Sequence, residues 1–129
     1  MKLWQSLYAL IWLNFFVLLV ATLDVIPYKA QVHAGLGLLV LVVAFINKVR
    51  IGKTSAPARL KRITAATAGI SVMATATGIL LAIPALASFG IVFRVLHILA
   101  IVAIIAQSGS VATAYDMWEE GELTPAAKT

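Results

Sequence analysis

The sequence predicts an all-α protein, a transmembrane four-helix up-down-up-down bundle, on three grounds. Hydrophobic residues make up 62% of the 129 and charged residues only 12%, against roughly 25% charged in an ordinary soluble domain. Four long segments, 3–23, 30–47, 63–93 and 95–115, contain no Asp, Glu, Lys or Arg apart from the boundaries that separate them. Six of the ten basic residues fall between Lys48 and Arg62, the pattern of a loop retained on one side of a membrane. The length suits a single integral membrane domain spanning 1–129.

Each helix follows from length and punctuation. Crossing a hydrocarbon core of roughly 30 Å takes about 20 helical residues, so the first segment forms a helix over about 3–23 and the last over about 91–117. The second apolar run is shorter, and Tyr28, Lys29 and Lys48 extend it to about 29–49 as interfacial ends with apolar stems. The third run is too long for one span. Pro84, Ser88 and Gly90 break it, leaving a helix over about 62–83 and a turn into the fourth. A secretory leader is the competing reading of the N-terminus, but run 3–23 exceeds the usual apolar core of about 7–15 residues.

Orientation follows from the cations. The loop Lys48 to Arg62, together with Lys2, belongs inside, whereas the other two loops carry only Lys29 and Arg94. The expectation is a multi-pass membrane protein with both termini cytoplasmic and a cytoplasmic tail over 118–129. Trp4, Tyr8, Tyr115 and Trp118 then form much of the inner aromatic belt, and Tyr28 serves the outer side. The acidic group Asp116, Glu119, Glu120 and Glu122 reads as the start of a solvated tail.

Several chemistries are excluded or weak. Zero cysteines rule out disulfides, thiolate-bound zinc or iron-sulfur sites, and covalent haem attachment within this chain. The net charge of +5 is too localised to imply nucleic acid. Gly52-Lys53-Thr54 imitates the end of a P-loop, but Asn47 stands where the first glycine belongs. Asn14 is expected to hydrogen-bond across the bundle, and Met73 to pack in the core.

Only two histidines are present, His33 and His97, each near the start of a different apolar span. An imidazole inside a bilayer is costly and marks a functional site by default. His33 lies six residues after Pro27 and His97 seven after Gly90, so both stand roughly 10 Å along helices that run the same way. Helices two and four are diagonal neighbours in an up-down-up-down bundle, which makes the pair candidate axial ligands of one non-covalent haem b. Lys29 and Arg94, one turn outward on the same faces, are candidate propionate partners. Gly37 and Gly78 give room for a flat macrocycle, and Thr75 or Thr77 could hydrogen-bond to an imidazole or propionate. Val40, Leu41, Ile101 and Ile104 share the histidine faces as an apolar wall. Against this stands ordinary packing: single histidines, snorkelling cations and small residues all have structural uses in membrane helices. Zinc or copper is a poorer match, because Asp24 is the only further ligand in reach.

The segments AQVHAGLGLLVLVVAF and RVLHILAIVAII, each with a histidine early in a span, resemble the ligand helices of one four-helix half of haem A synthase. They are also similar to those of small membrane b-type cytochromes. The resemblance covers about 28–115 and implies that His33 and His97 are axial ligands. Ala30 stands where the synthase pattern has a carboxylate, Ala34 where it commonly has an arginine, and the outer-loop cysteines are absent. The haem b part of the pattern is therefore retained without the catalytic part.

The leading expectation is a membrane b-type cytochrome carrying one bis-histidine haem near the outer face, an electron-transfer subunit of a respiratory assembly. Its expected partners are membrane lipid and other respiratory-complex subunits. Quinol is a candidate donor without an assigned site. A minimal haem A synthase-like enzyme is one alternative, and a non-haem accessory or transport protein another.

Overall fold

The computed structural model describes residues 2–121, and among these the chain is helical with no strands. Helix α1 spans Leu3–Thr22, α2 Lys29–Gly52, α3 Ala58–Leu81 and α4 Gly90–Glu119. The break at Pro84 is a six-residue 3₁₀ helix, Pro84–Phe89, rather than an irregular turn. Proline at its first position has no N–H to leave unpaired there.

Three helix ends run two or more residues beyond the sequence expectation, and α3 stops two residues short of it, at Leu81. Helix α2 continues to Gly52, where the Thr54 hydroxyl donates to Ile51 O at 2.7 Å and accepts from the Ala56 amide. Helix α3 starts at Ala58, directly after Pro57, so Arg59, Lys61 and Arg62 lie in its first turns. Cations at a helix N-terminus oppose the helix dipole, so helix stability does not account for them. Helix α4 runs to Glu119 and draws Asp116 and Glu119 out of the expected tail. Asp116 accepts a hydrogen bond from Tyr8 Oη at 2.5 Å, tying α4 to α1. Glu122 and the rest of the expected tail beyond Gly121 lie outside the described residues.

The four helices form a closed ring. Each packs on its neighbours in sequence, α1 closes on α4, and neither diagonal pair approaches within 8 Å between Cα atoms among the described residues. This is the predicted up-down-up-down arrangement. It gathers the cations of 48–62 at the end where α1 begins and α4 finishes.

The distribution of side chains is inverted relative to a water-soluble bundle. The interior is rich in small and polar residues, including Ala44, Ala68, Ala100, Ser71, Thr67 and Asn47. The outside carries Trp12, Phe15, Leu38, Val42, Ile98 and Val102, all exposed. Lipid solvates large apolar groups as well as a protein core does, so helix association in a bilayer relies on close approach through small residues and on interhelical hydrogen bonds. All four helices are long and apolar enough to cross a membrane. The chain is a multi-pass membrane protein.

Interhelical polar contacts join the helices at several levels among the described residues. Asn47 Nδ2 donates to Ser6 O of α1 at 3.0 Å, and the Thr67 hydroxyl of α3 lies 2.9 Å from Gln107 Oε1 of α4. Asn14 does not reach across the bundle as expected. Its amide donates to Leu10 O within α1 at 2.7 Å, a local bond available at a spacing of four. Met73 is exposed on α3 rather than packed in the core.

Candidate functional site

The diagonal ring arrangement leaves a space between α2 and α4 at the end away from the cationic loop. His33 enters it from the second turn of α2 and His97 from the third turn of α4. Their ring centroids are 6.2 Å apart, with planes inclined at 55°. Both rings line a cavity of about 590 Å³, a size within the roughly 300–1,000 Å³ of small-molecule and cofactor sites.

Small residues create this cavity. Ala30, Ala34 and Gly37 of α2 face it, as do Ala74, Thr75 and Gly78 of α3. A Cβ placed on Gly37 would touch nothing within 4 Å, whereas one on Gly78 would stand 3.2 Å from His97 Cε1. Gly78 therefore admits the His97 ring against the backbone of α3, a close approach that a side chain would restrict. Val40, Ile101 and Ile104 form part of the apolar wall, with Val17 of α1. Leu41 is not among the lining residues.

The two imidazoles are held differently. His97 Nδ1 lies 2.8 Å from Ala74 O, with Thr77 Oγ1 at 3.3 Å. A carbonyl oxygen only accepts, so in the neutral ring Nδ1 bears the proton and Nε2 keeps a free lone pair. The Thr77 hydroxyl is directed at helix carbonyls, with Met73 O at 2.8 Å and Ala74 O at 3.0 Å. That leaves its oxygen as a second, weaker acceptor for His97. His33 Nδ1 is buried and has no hydrogen-bond partner among the described residues. Thr75, the other candidate, donates to Ser71 O of its own helix at 2.9 Å and reaches neither imidazole.

The site thus brings together His33, His97, Gly37, Thr75 and Gly78, and leaves out both cations. Lys29 Nζ is paired with Asp24 Oδ1 at 2.8 Å in the α1–α2 connection, which holds the Asp24 carboxyl below its ordinary range. Arg94 is exposed, lies outside the cavity lining, and makes no hydrogen bond or ion pair among the described residues. A spacing of three or four residues gives a shared helix face but not the direction of a long, flexible side chain. The Ala74 carbonyl was not legible in the sequence, because every residue type carries one and only packing selects it.

Among the described residues no three His, Cys, Asp or Glu side chains converge, and Asp24 is committed to Lys29. A metal held here by protein side chains alone would have two ligands, fewer than zinc or copper sites use. No family model, curated protein or solved structure matches this chain.

Proposed function

We propose that the chain is a membrane b-type cytochrome that holds one haem b between His33 and His97 and passes single electrons within a membrane assembly. The observation that carries the reading is the pair of imidazoles, supplied by diagonal helices and 6.2 Å apart in a cavity of about 590 Å³. Imidazole rings with centroids 6.2 Å apart would let His33 and His97 each offer a ring nitrogen to one iron, which would supply the redox-active centre.

Bound haem supplies a one-electron couple. His33 and His97 offer the lone pairs of their ring nitrogens, and Ala74 fixes the tautomer and direction of His97 by accepting from Nδ1. Such outer partners orient ligating histidines and raise their basicity. Val40, Ile101 and Ile104 would shield the bound group from water, while Gly37 leaves open space beside the cavity and Gly78 seats the His97 ring. Lys29 does not serve as a propionate anchor unless it leaves Asp24. With the cationic loop facing the cytoplasm, the pair lies toward the outer face, so transfer across the whole bilayer requires another cofactor-bearing subunit. Quinol is a candidate electron donor, with no site assigned on this chain.

The test is the reduced-minus-oxidised spectrum of the purified chain beside His33→Ala and His97→Ala. A low-spin b-type spectrum altered by both substitutions is expected. A haem spectrum indifferent to either substitution, or a colourless protein after haem-replete expression, would overturn the reading. Haem o or haem a in the extracted pigment would instead indicate a minimal synthase-like enzyme.

A further inference from the structure

Resting on the haem reading above, we infer that the two axial positions are unequal: His97 is the permanent ligand, and His33 is an exchangeable one that yields to a small neutral molecule such as carbon monoxide.

The difference begins at the ring nitrogens. For an imidazole to offer Nε2 to a metal, its proton must sit on Nδ1. In His97 that proton has the Ala74 carbonyl at 2.8 Å, and Thr77 Oγ1 beside it. His33 has no such acceptor among the described residues, and its Nδ1 is buried. Keeping a buried donor unsatisfied weakens the ligating tautomer by roughly one to two orders of magnitude. The alternative tautomer, with the proton on Nε2, leaves that nitrogen no lone pair to offer a metal.

Packing points the same way. His97 is confined by α3: a Cβ at position 78 would already crowd Cε1 at 3.2 Å, so the ring has little freedom on that side. The cavity lining from α2 includes Ala30, Ala34 and Gly37, within about one turn to either side of His33, with Leu38 and Val40 beyond them. These small residues, with open space beside Gly37, give the His33 ring somewhere to move. Exchange is a substitution without oxidation or reduction. On bound haem, His33 would keep the lone pair of its nitrogen as it moves aside, and the incoming neutral molecule would donate its own pair in its place. The surrounding apolar lining favours a neutral diatomic over an anion, because it supplies no charge to compensate one.

The purified holoprotein is reduced with dithionite and exposed to carbon monoxide, after its haem content per chain has been measured as the pyridine complex. Absence of haem at that first step removes the haem reading itself. With haem present, wild type is expected to convert to a carbon monoxide complex. His33→Ala is expected to keep most of its haem and to bind carbon monoxide at least about tenfold faster, whereas His97→Ala loses most of its haem. Two outcomes would overturn the inequality while leaving the haem reading intact. One is a reduced wild-type spectrum indifferent to carbon monoxide. The other is haem loss as complete in His33→Ala as in His97→Ala.

Discussion

The His33 and His97 rings lie 6.2 Å apart between centroids although α2 and α4 make no backbone approach within 8 Å among the described residues. The pair therefore depends on the ring of helix contacts around it, above all on α3, which packs on both partners and supplies Ala74 and Gly78.

Gly78 is the most sensitive small residue of that support. Gly78→Ala brings a Cβ to 3.2 Å from His97 Cε1 and should shift the His97 ring by a few tenths of an ångström. Gly69→Ala, at an exposed position of α3 where a Cβ meets nothing, is the control and should gain up to about 1 kcal/mol from helix propensity. On the proposed haem reading, the expected contrast is an altered haem absorption envelope in the first variant only, with higher stability in the second, read by heating in detergent. Identical spectra for both would show that Gly78 does not position His97.

Filling the cavity should separate binding from folding. Gly37 has no neighbour within 4 Å of its would-be Cβ, so Gly37→Phe can enter the cavity without displacing a side chain at its root. On the proposed haem reading, the expected protein is helical and monodisperse, with less than about a tenth of the haem that the unsubstituted chain would hold. Full haem content in this variant would place the cofactor elsewhere.

Asn14 and Asn47 look alike in sequence and should behave differently. Asn47 bonds to another helix and Asn14 to its own, while each has an unpartnered Oδ1. Replacing each by the similarly shaped leucine should make Asn47→Leu about 1 kcal/mol less stable than Asn14→Leu, the scale of interhelical bonds in membranes. Unfolding of both variants in mixed detergent gives the difference directly.

The Tyr8–Asp116 bond is expected to couple α1 to α4. In a double-mutant cycle of Tyr8→Phe and Asp116→Asn, a coupling of about 0.5–1.5 kcal/mol is expected. Additive effects would mean that the contact contributes nothing to the closure of the ring.

The Asp24–Lys29 pair gives a pH prediction of definite sign. Hydrogen bonding to Lys29, with its charge, lowers the Asp24 pKa, so the stabilisation is present above the unfolded carboxylate value near 3.9 and is lost as pH falls through the lower folded value. Lys29→Met should return Asp24 to the ordinary carboxylate range. A side-chain carbon NMR titration measures this, and high salt should reduce the difference because the pair is exposed.

Sequence alone determined the membrane architecture. Composition fixes the solvent, apolar run length fixes the number of spans, and Pro84 interrupts the longest run, because each of these acts locally or through summed hydrophobicity. It also indicated that His33 and His97 stand at one level, since rise per residue is constant along a helix. Only the tertiary structure decided which side chains meet. It turned Lys29 toward Asp24, left Arg94 outside the cavity, replaced Asn14 by Asn47 as a link between helices, and gave His97 a carbonyl partner that His33 lacks. The physical reason is that long side chains have several rotamers of similar energy and every residue carries the same backbone carbonyl, so neither direction nor partner is written in residue type. Close packing of α3 against α2 and α4 makes that selection.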